Sequence, residues 1–105
     1  VTPDGLVTAC HEVAESGHPL SSLFIYGKLD PEAKTFSFDY EKIKKLKSYT
    51  AKKNPICDEC FARFYCAGDC LVKNIRNGNG HPKLLNPRCS VNRELVIRSI
   101  FNKLF

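Results

Sequence analysis

The chain has 105 residues, which bounds it to one domain at most with a modest core. Hydrophobic residues make up 43% of it, so it is not a disordered tail, and no apolar run approaches a membrane span. The formal charge of +5 is mild, and the unusual feature of the composition is its six cysteines. An even cysteine count suits a secreted disulfide scaffold, but their clustering points to a reducing compartment, the cytoplasm. No secretory signal is visible, and a start at Val1-Thr2-Pro3 without methionine reads as a fragment or processed form.

In chain order, Pro3-Asp4-Gly5 is a turn signal and Leu6-Val7-Thr8-Ala9-Cys10 reads as a short strand rich in β-branched residues. A turn there ordinarily joins two strands of a hairpin, and only Val1 and Thr2 precede it, a second sign of a fragment. Residues 11–22 carry Gly17, Pro19 and three serines and read as a loop. Leu23-Phe24-Ile25-Tyr26 is β-prone and ends at Gly27; Asp30-Pro31-Glu32-Ala33-Lys34 is a turn; Thr35-Phe36-Ser37-Phe38 alternates as a half-buried strand does. Asp39 is the expected N-cap of a lysine-rich helix whose apolar stripe is Tyr40, Ile43, Leu46 and Tyr49. Lys42, Lys44, Lys45, Lys47, Lys52 and Lys53 crowd this region, as a solvated helix face or as a surface for an acidic partner. Asn54-Pro55 stops that helix. Leu71, Val72 and Ile75 suggest a short helix to Asn77-Gly78, and Asn79-Gly80-His81-Pro82 continues as loop. Asn86-Pro87 then opens a final helix carrying Val91, Leu95, Ile97, Ile100, Phe101 and Leu104. These elements predict a small α+β fold, short antiparallel strands followed by helices, with an irregular cysteine-bearing loop between helices.

Four cysteines lie in one stretch, Cys57-x2-Cys60-x5-Cys66-x3-Cys70. A C-x2-C step lets two thiolates reach one metal centre from a single tight turn, and thiolate is the soft ligand that zinc and iron–sulfur clusters select. Four cysteines so crowded are better placed to share a metal than to pair as disulfides. Cys89 lies far from the cluster. In the first turn of the last helix, the free N–H groups and the helix dipole favour its thiolate, whereas a buried structural cysteine would simply be packed by the helix. Without Cys89, the set Cys57, Cys60 and Cys66 takes Cys70 as its fourth member.

With Gly5-x4-Cys10 and Cys89 added, the pattern resembles the SPASM domain, the C-terminal auxiliary-cluster domain of a large group of radical SAM enzymes. The resemblance covers nearly the whole chain, 1–105, and the run Cys60-Phe61-Ala62-Arg63-Phe64-Tyr65-Cys66-Ala67-Gly68-Asp69-Cys70 is similar to members that mature peptides and proteins. It implies two [4Fe-4S] sites. Cys57, Cys60, Cys66 and Cys89 match the ligands of one complete site, while Cys10 and Cys70 match half of a second whose other ligands lie upstream of Val1. At the half-site the two thiols stay free, pair as a disulfide, or hold a metal with a substitute ligand, for which His11 is the nearest candidate. The implied partners are an upstream radical SAM domain and a peptide or protein substrate, with no nucleic acid and no membrane. The SAM-cleaving C-x3-C-x2-C motif is missing, because Lys73 stands where its third cysteine belongs, so the chain is expected to be non-catalytic by itself.

The leading expectation is an auxiliary iron–sulfur module for electron transfer or peptide docking, with Phe61, Phe64 and Tyr65 as its dry shell or as ordinary core, and Asp58 and Glu59 as surface acids. The alternative is a zinc-binding structural or interaction module on the same four thiols, since zinc also substitutes for a lost cluster. A basic zinc finger fits poorly, because the lysines are not interleaved with aromatics and no finger helix follows the cysteine pair. A cysteine protease fits no better: no cysteine stands apart from the metal pattern with a base in view. His11, His18 and His81 read as surface or loop histidines.

Overall fold

A computed structural model describes residues 1–49, 55–77 and 87–105. The protein is α+β and divides into two compact units, Val1–Ser48 and Tyr49–Phe105.

The first unit is a three-stranded antiparallel sheet in the order β1 (Leu6–Thr8), β2 (Ile25–Asp30), β3 (Thr35–Phe38), with helices α1 (Ser21–Phe24) and α2 (Tyr40–Ser48). The Pro3-Asp4-Gly5 turn forms as its residues dictate. Gly5 takes φ +77°, its N–H donates to the Thr2 carbonyl at 2.9 Å, and a Cβ there would sit 3.0 Å from Leu29 Cβ. The first strand is shorter than the expected five residues. Its register shifts between Val7 and Thr8, and the Thr8 hydroxyl folds onto Cys10, donating to its carbonyl at 3.1 Å and accepting from its N–H at 3.3 Å. Cys10 therefore lies in a turn beyond the strand. The expected loop 11–22 contributes Ser21 and Ser22 to α1, and Leu23-Phe24 is its second half rather than strand. Gly27 does not end β2. It sits mid-strand because a Cβ would come within 2.8 Å of the Phe38 ring, which crosses it from β3.

The turn after β2 is closed by Asp30, whose Oδ1 accepts from Glu32 N at 3.0 Å and Ala33 N at 3.1 Å. Asp39 caps α2 as expected, accepting from Lys42 N at 3.1 Å. Two packing expectations fail. All four residues of β3 are exposed, and its aromatics cover one another and a ring of β2: Phe38 stacks on Phe36 and on Tyr26 with ring centroids 6.2 and 6.3 Å away. In α2, Ile43 and Leu46 are half-buried but Tyr40 is exposed, and Lys42 leaves the solvated lysine face to donate to the Ile25 carbonyl at 3.0 Å. Val13 and Phe24 form the buried centre of this unit.

The second unit is helical among its described residues: α3 (Pro55–Asp58), α4 (Arg63–Cys66), α5 (Leu71–Asn77) and α6 (Arg88–Leu104). Ala62, Val72, Ile75 and Val96 are its buried apolar side chains. The helix α2 has already ended at Ser48, and Pro55 opens α3, where its missing N–H costs nothing. The cysteine stretch is more regular than a loop, since two of its segments are single helical turns. The expected caps at Gly78 and Asn86, the loop 79–82 with His81, and Lys52, Lys53 and Asn54 lie outside the described residues. Among the described residues no helix is long and apolar enough to cross a membrane.

Candidate metal centre

The cysteine stretch is a chain of tight turns. Cys60 N donates to the Cys57 carbonyl at 3.1 Å, and Arg63 N to the Cys60 carbonyl at 3.2 Å. Cys66 ends α4, and Cys70 stands just before α5. Between them, Ala67, Gly68 and Asp69 all take left-handed backbone angles, φ +51°, +91° and +62°. The x3 gap is thus a left-handed reversal and not one turn of a continuous helix. It is fastened from both sides. Asn74 Nδ2 of α5 donates to the Gly68 carbonyl at 2.7 Å, and Arg88 of α6 forks onto both Asp69 carboxylate oxygens.

Along α6, whose residues are all described, the side chains not exposed to solvent are Cys89, Asn92, Arg93 and Val96. Their spacing of i, i+3, i+4 and i+7 is one helical face. Val96 anchors it in the core, and the other three face thiols. Asn92 Nδ2 donates to Cys66 Sγ at 3.3 Å, and Arg93 Nε donates to Cys60 Sγ at 3.5 Å. The apolar residues expected to define the helix, Val91, Leu95, Ile97, Ile100, Phe101 and Leu104, are instead exposed. Sequence inspection followed apolar periodicity and missed Asn92, Arg93, Arg88 and Asp69. The usable signal was polar, a pair of donors three and four residues after a cysteine.

All six cysteines are free, half-buried thiols. Burial, followed by the charges of Cys89, Cys66 and Cys60, pushes the Cys57 thiol up, with Arg93 opposing. The Arg93 hydrogen bond holds Cys60 below the usual thiol range, helped by the Ala62 N–H against a smaller burial effect. Arg93 is raised in return, first by its bond to Cys60 and then by the charges of Cys60, Cys89 and Cys57. Asp69 is held low by its bond to Arg88, against partial burial, with smaller help from the Cys70 N–H and Asn92. Cys57 is thus the thiol on which the charges of Cys89, Cys66 and Cys60 all act. Among the described residues, no three or more His, Cys, Asp or Glu side chains are gathered into a group that could hold a metal ion. By donor type alone, Cys57, Cys60, Cys66 and Cys89 are four thiols, the ligand class that thiophilic groups take.

Cys70 lies near Arg88, and Cys10 belongs to the first unit, next to the exposed His11. Phe61, Phe64 and Tyr65 provide neither dry shell nor core. They are exposed, and the buried member of that run is Ala62. Arg63 lies 4.7 Å from the Phe64 ring centroid and also donates to the Asp58 carbonyl and carboxylate, so Asp58 is the surface acid expected of it. In comparisons with known proteins, no family model, no curated protein and no solved structure matches this chain.

Proposed function

We propose that the chain is an auxiliary iron–sulfur domain of the SPASM type, with Cys57, Cys60, Cys66 and Cys89 as the ligands of one [4Fe-4S] cluster. The supporting observation is the inward face of α6, which begins at Cys89 and carries Asn92 and Arg93 onto the sulfurs of Cys66 and Cys60 at 3.3 and 3.5 Å. Such a cluster carries single electrons at a potential set by burial, charge and hydrogen bonds to its sulfurs. On this reading the domain serves electron transfer or peptide docking for a radical SAM domain in a longer parent protein. Cys10 and Cys70 supply half of a second site that upstream residues complete. Six free thiols suit the reducing cytoplasm.

The test is reconstitution without oxygen, with iron and sulfide offered alongside zinc, followed by metal and sulfide analysis and an absorption spectrum. Iron and sulfide in cluster stoichiometry, lost in Cys89→Ser and retained in Cys70→Ser, are the expected result. Zinc alone identifies the chain as a zinc-binding interaction module on the same thiols. Loss in Cys70→Ser with retention in Cys89→Ser makes Cys70 the fourth ligand.

A further inference from the structure

Three arginines lie on α6 at five-residue intervals, and they have different partners. Arg88 is paired with Asp69 and Arg98 with Glu94, so each faces a carboxylate. Arg93 is turned onto a sulfur, Cys60 Sγ, at 3.5 Å. Asn92, its neighbour, reaches Cys66 Sγ at 3.3 Å. Both donors sit on the helical face that begins at Cys89, so one element delivers a fourth thiol together with hydrogen bonds to two of the other three.

A donor aimed at a ligating sulfur withdraws electron density from it. Reduction adds negative charge to a cluster and its thiolates, so the donor stabilises the reduced state more than the oxidised one. A fixed cation adds the same bias through Coulomb attraction, and more strongly where water is partly excluded. We propose that Arg93 and Asn92 are positioning residues that raise the reduction potential of the bound cluster by donating to the sulfurs of Cys60 and Cys66. The inference rests on the cluster reading above. Arg93 supplies charge and a hydrogen bond, Asn92 a hydrogen bond alone.

The experiment compares the full chain with Arg93→Gln, Arg93→Lys, Asn92→Leu and Arg98→Gln, each reconstituted without oxygen with iron and sulfide. Iron and sulfide per chain give occupancy. A mediated redox titration, followed by electron paramagnetic resonance, gives the potential of the loaded fraction whatever its size. Arg93→Gln is expected to shift the one-electron equilibrium about tenfold toward the oxidised form, which is about 59 mV more negative. Asn92→Leu moves the same way, and Arg93→Lys, which keeps the charge without the fixed Nε donor, falls between Arg93→Gln and wild type. Arg98→Gln removes an equal charge from the solvent side of the same helix and leaves the potential in place. Loaded variants that keep the wild-type potential overturn the proposal, as does an equal shift from Arg98→Gln, because a merely structural contact or a distant charge then accounts for everything. If Arg93→Gln loses its helical circular dichroism, Asn92→Leu and Arg93→Lys decide. If the wild-type chain takes up no iron and sulfide, the cluster reading fails and this inference falls with it. A loaded wild type with unmoved variants sinks the inference alone.

Discussion

Cys57 and Cys60 are separated by two residues, yet their thiols are pushed in opposite directions, one by burial and neighbouring sulfurs, the other by a guanidinium. In the metal-free chain at pH 7, iodoacetamide should therefore modify Cys60 several-fold faster than Cys57, because the thiolate is the nucleophile. Peptide mass spectrometry reads this directly, and Arg93→Gln should remove most of the difference. The effects on stability have opposite signs. The lowered Cys60 contributes stability that is present above the unfolded thiol pKa and lost as pH falls through its folded value. The raised Cys57 contributes below the unfolded pKa and loses that contribution as pH rises through its folded value. Asp69 behaves as a lowered carboxyl. Its pairing with Arg88 is fully present above the ordinary aspartate pKa and disappears as pH falls through the depressed one. With Arg88 half exposed, Asp69→Asn should cost up to about 1 kcal/mol in urea unfolding at neutral pH. The difference from wild type should vanish in strong acid, and a difference that persists there would assign the loss to something other than this ion pair.

Among the elements, the antiparallel strands, the Asp39-capped helix and the last helix were all legible in outline, because local signals mark them: β-prone residues between turns, a capping carboxylate, and a proline just before the last helix. The side of the last helix that turns inward was not. Its apolar residues are more numerous on the exposed side, and a rule that buries apolar stripes chooses the wrong face when a helix is recruited for a thiol and two donors. The left-handed reversal at 67–69 was half legible. Gly68 invites it, but Ala67 and Asp69 carry side chains that oppose it. Ala67→Gly should accordingly stabilise the metal-free chain by about 0.5 kcal/mol, since relief of the left-handed strain exceeds the added freedom of the unfolded backbone. Chemical denaturation checks this, and a destabilisation would mean that the Ala67 methyl makes a contact worth more than the strain.

For the whole molecule, length bounded the chain to one domain at most, and within it lie a sheet unit and a helical unit that carries five of the six cysteines. The division was hidden because it falls inside the lysine-rich region, with no Gly- or Pro-rich linker to mark it. It makes metal removal a selective perturbation. Because ligand binding by thiolates is folding free energy for a small unit, chelating the metal from the loaded chain should raise amide exchange across α4–α6 and leave the β1–β3 ladder protected. Cys60→Ser should likewise lower the melting temperature of the loaded chain far more than Cys10→Ser. Equal loss of protection in both units, or equal melting shifts, would count against separate units and against the division of the cysteines between a complete site and a half-site.

The contact from Arg93 to Cys60 also has a kinetic meaning, because it closes 33 residues of chain. Closing that length of unfolded chain opposes the contact by about 3 kcal/mol, whereas Cys57, Cys60 and Cys66 are linked by turns of a few residues. Local capture therefore precedes distant capture. On the proposed cluster reading, three thiols from the cysteine stretch would take hold first, and α6 would dock afterwards with its cysteine and both donors at once. Until it docked, one coordination position would stay open to small thiols and to oxygen, so the vulnerable interval in assembly would last as long as the search of a single helix for its place.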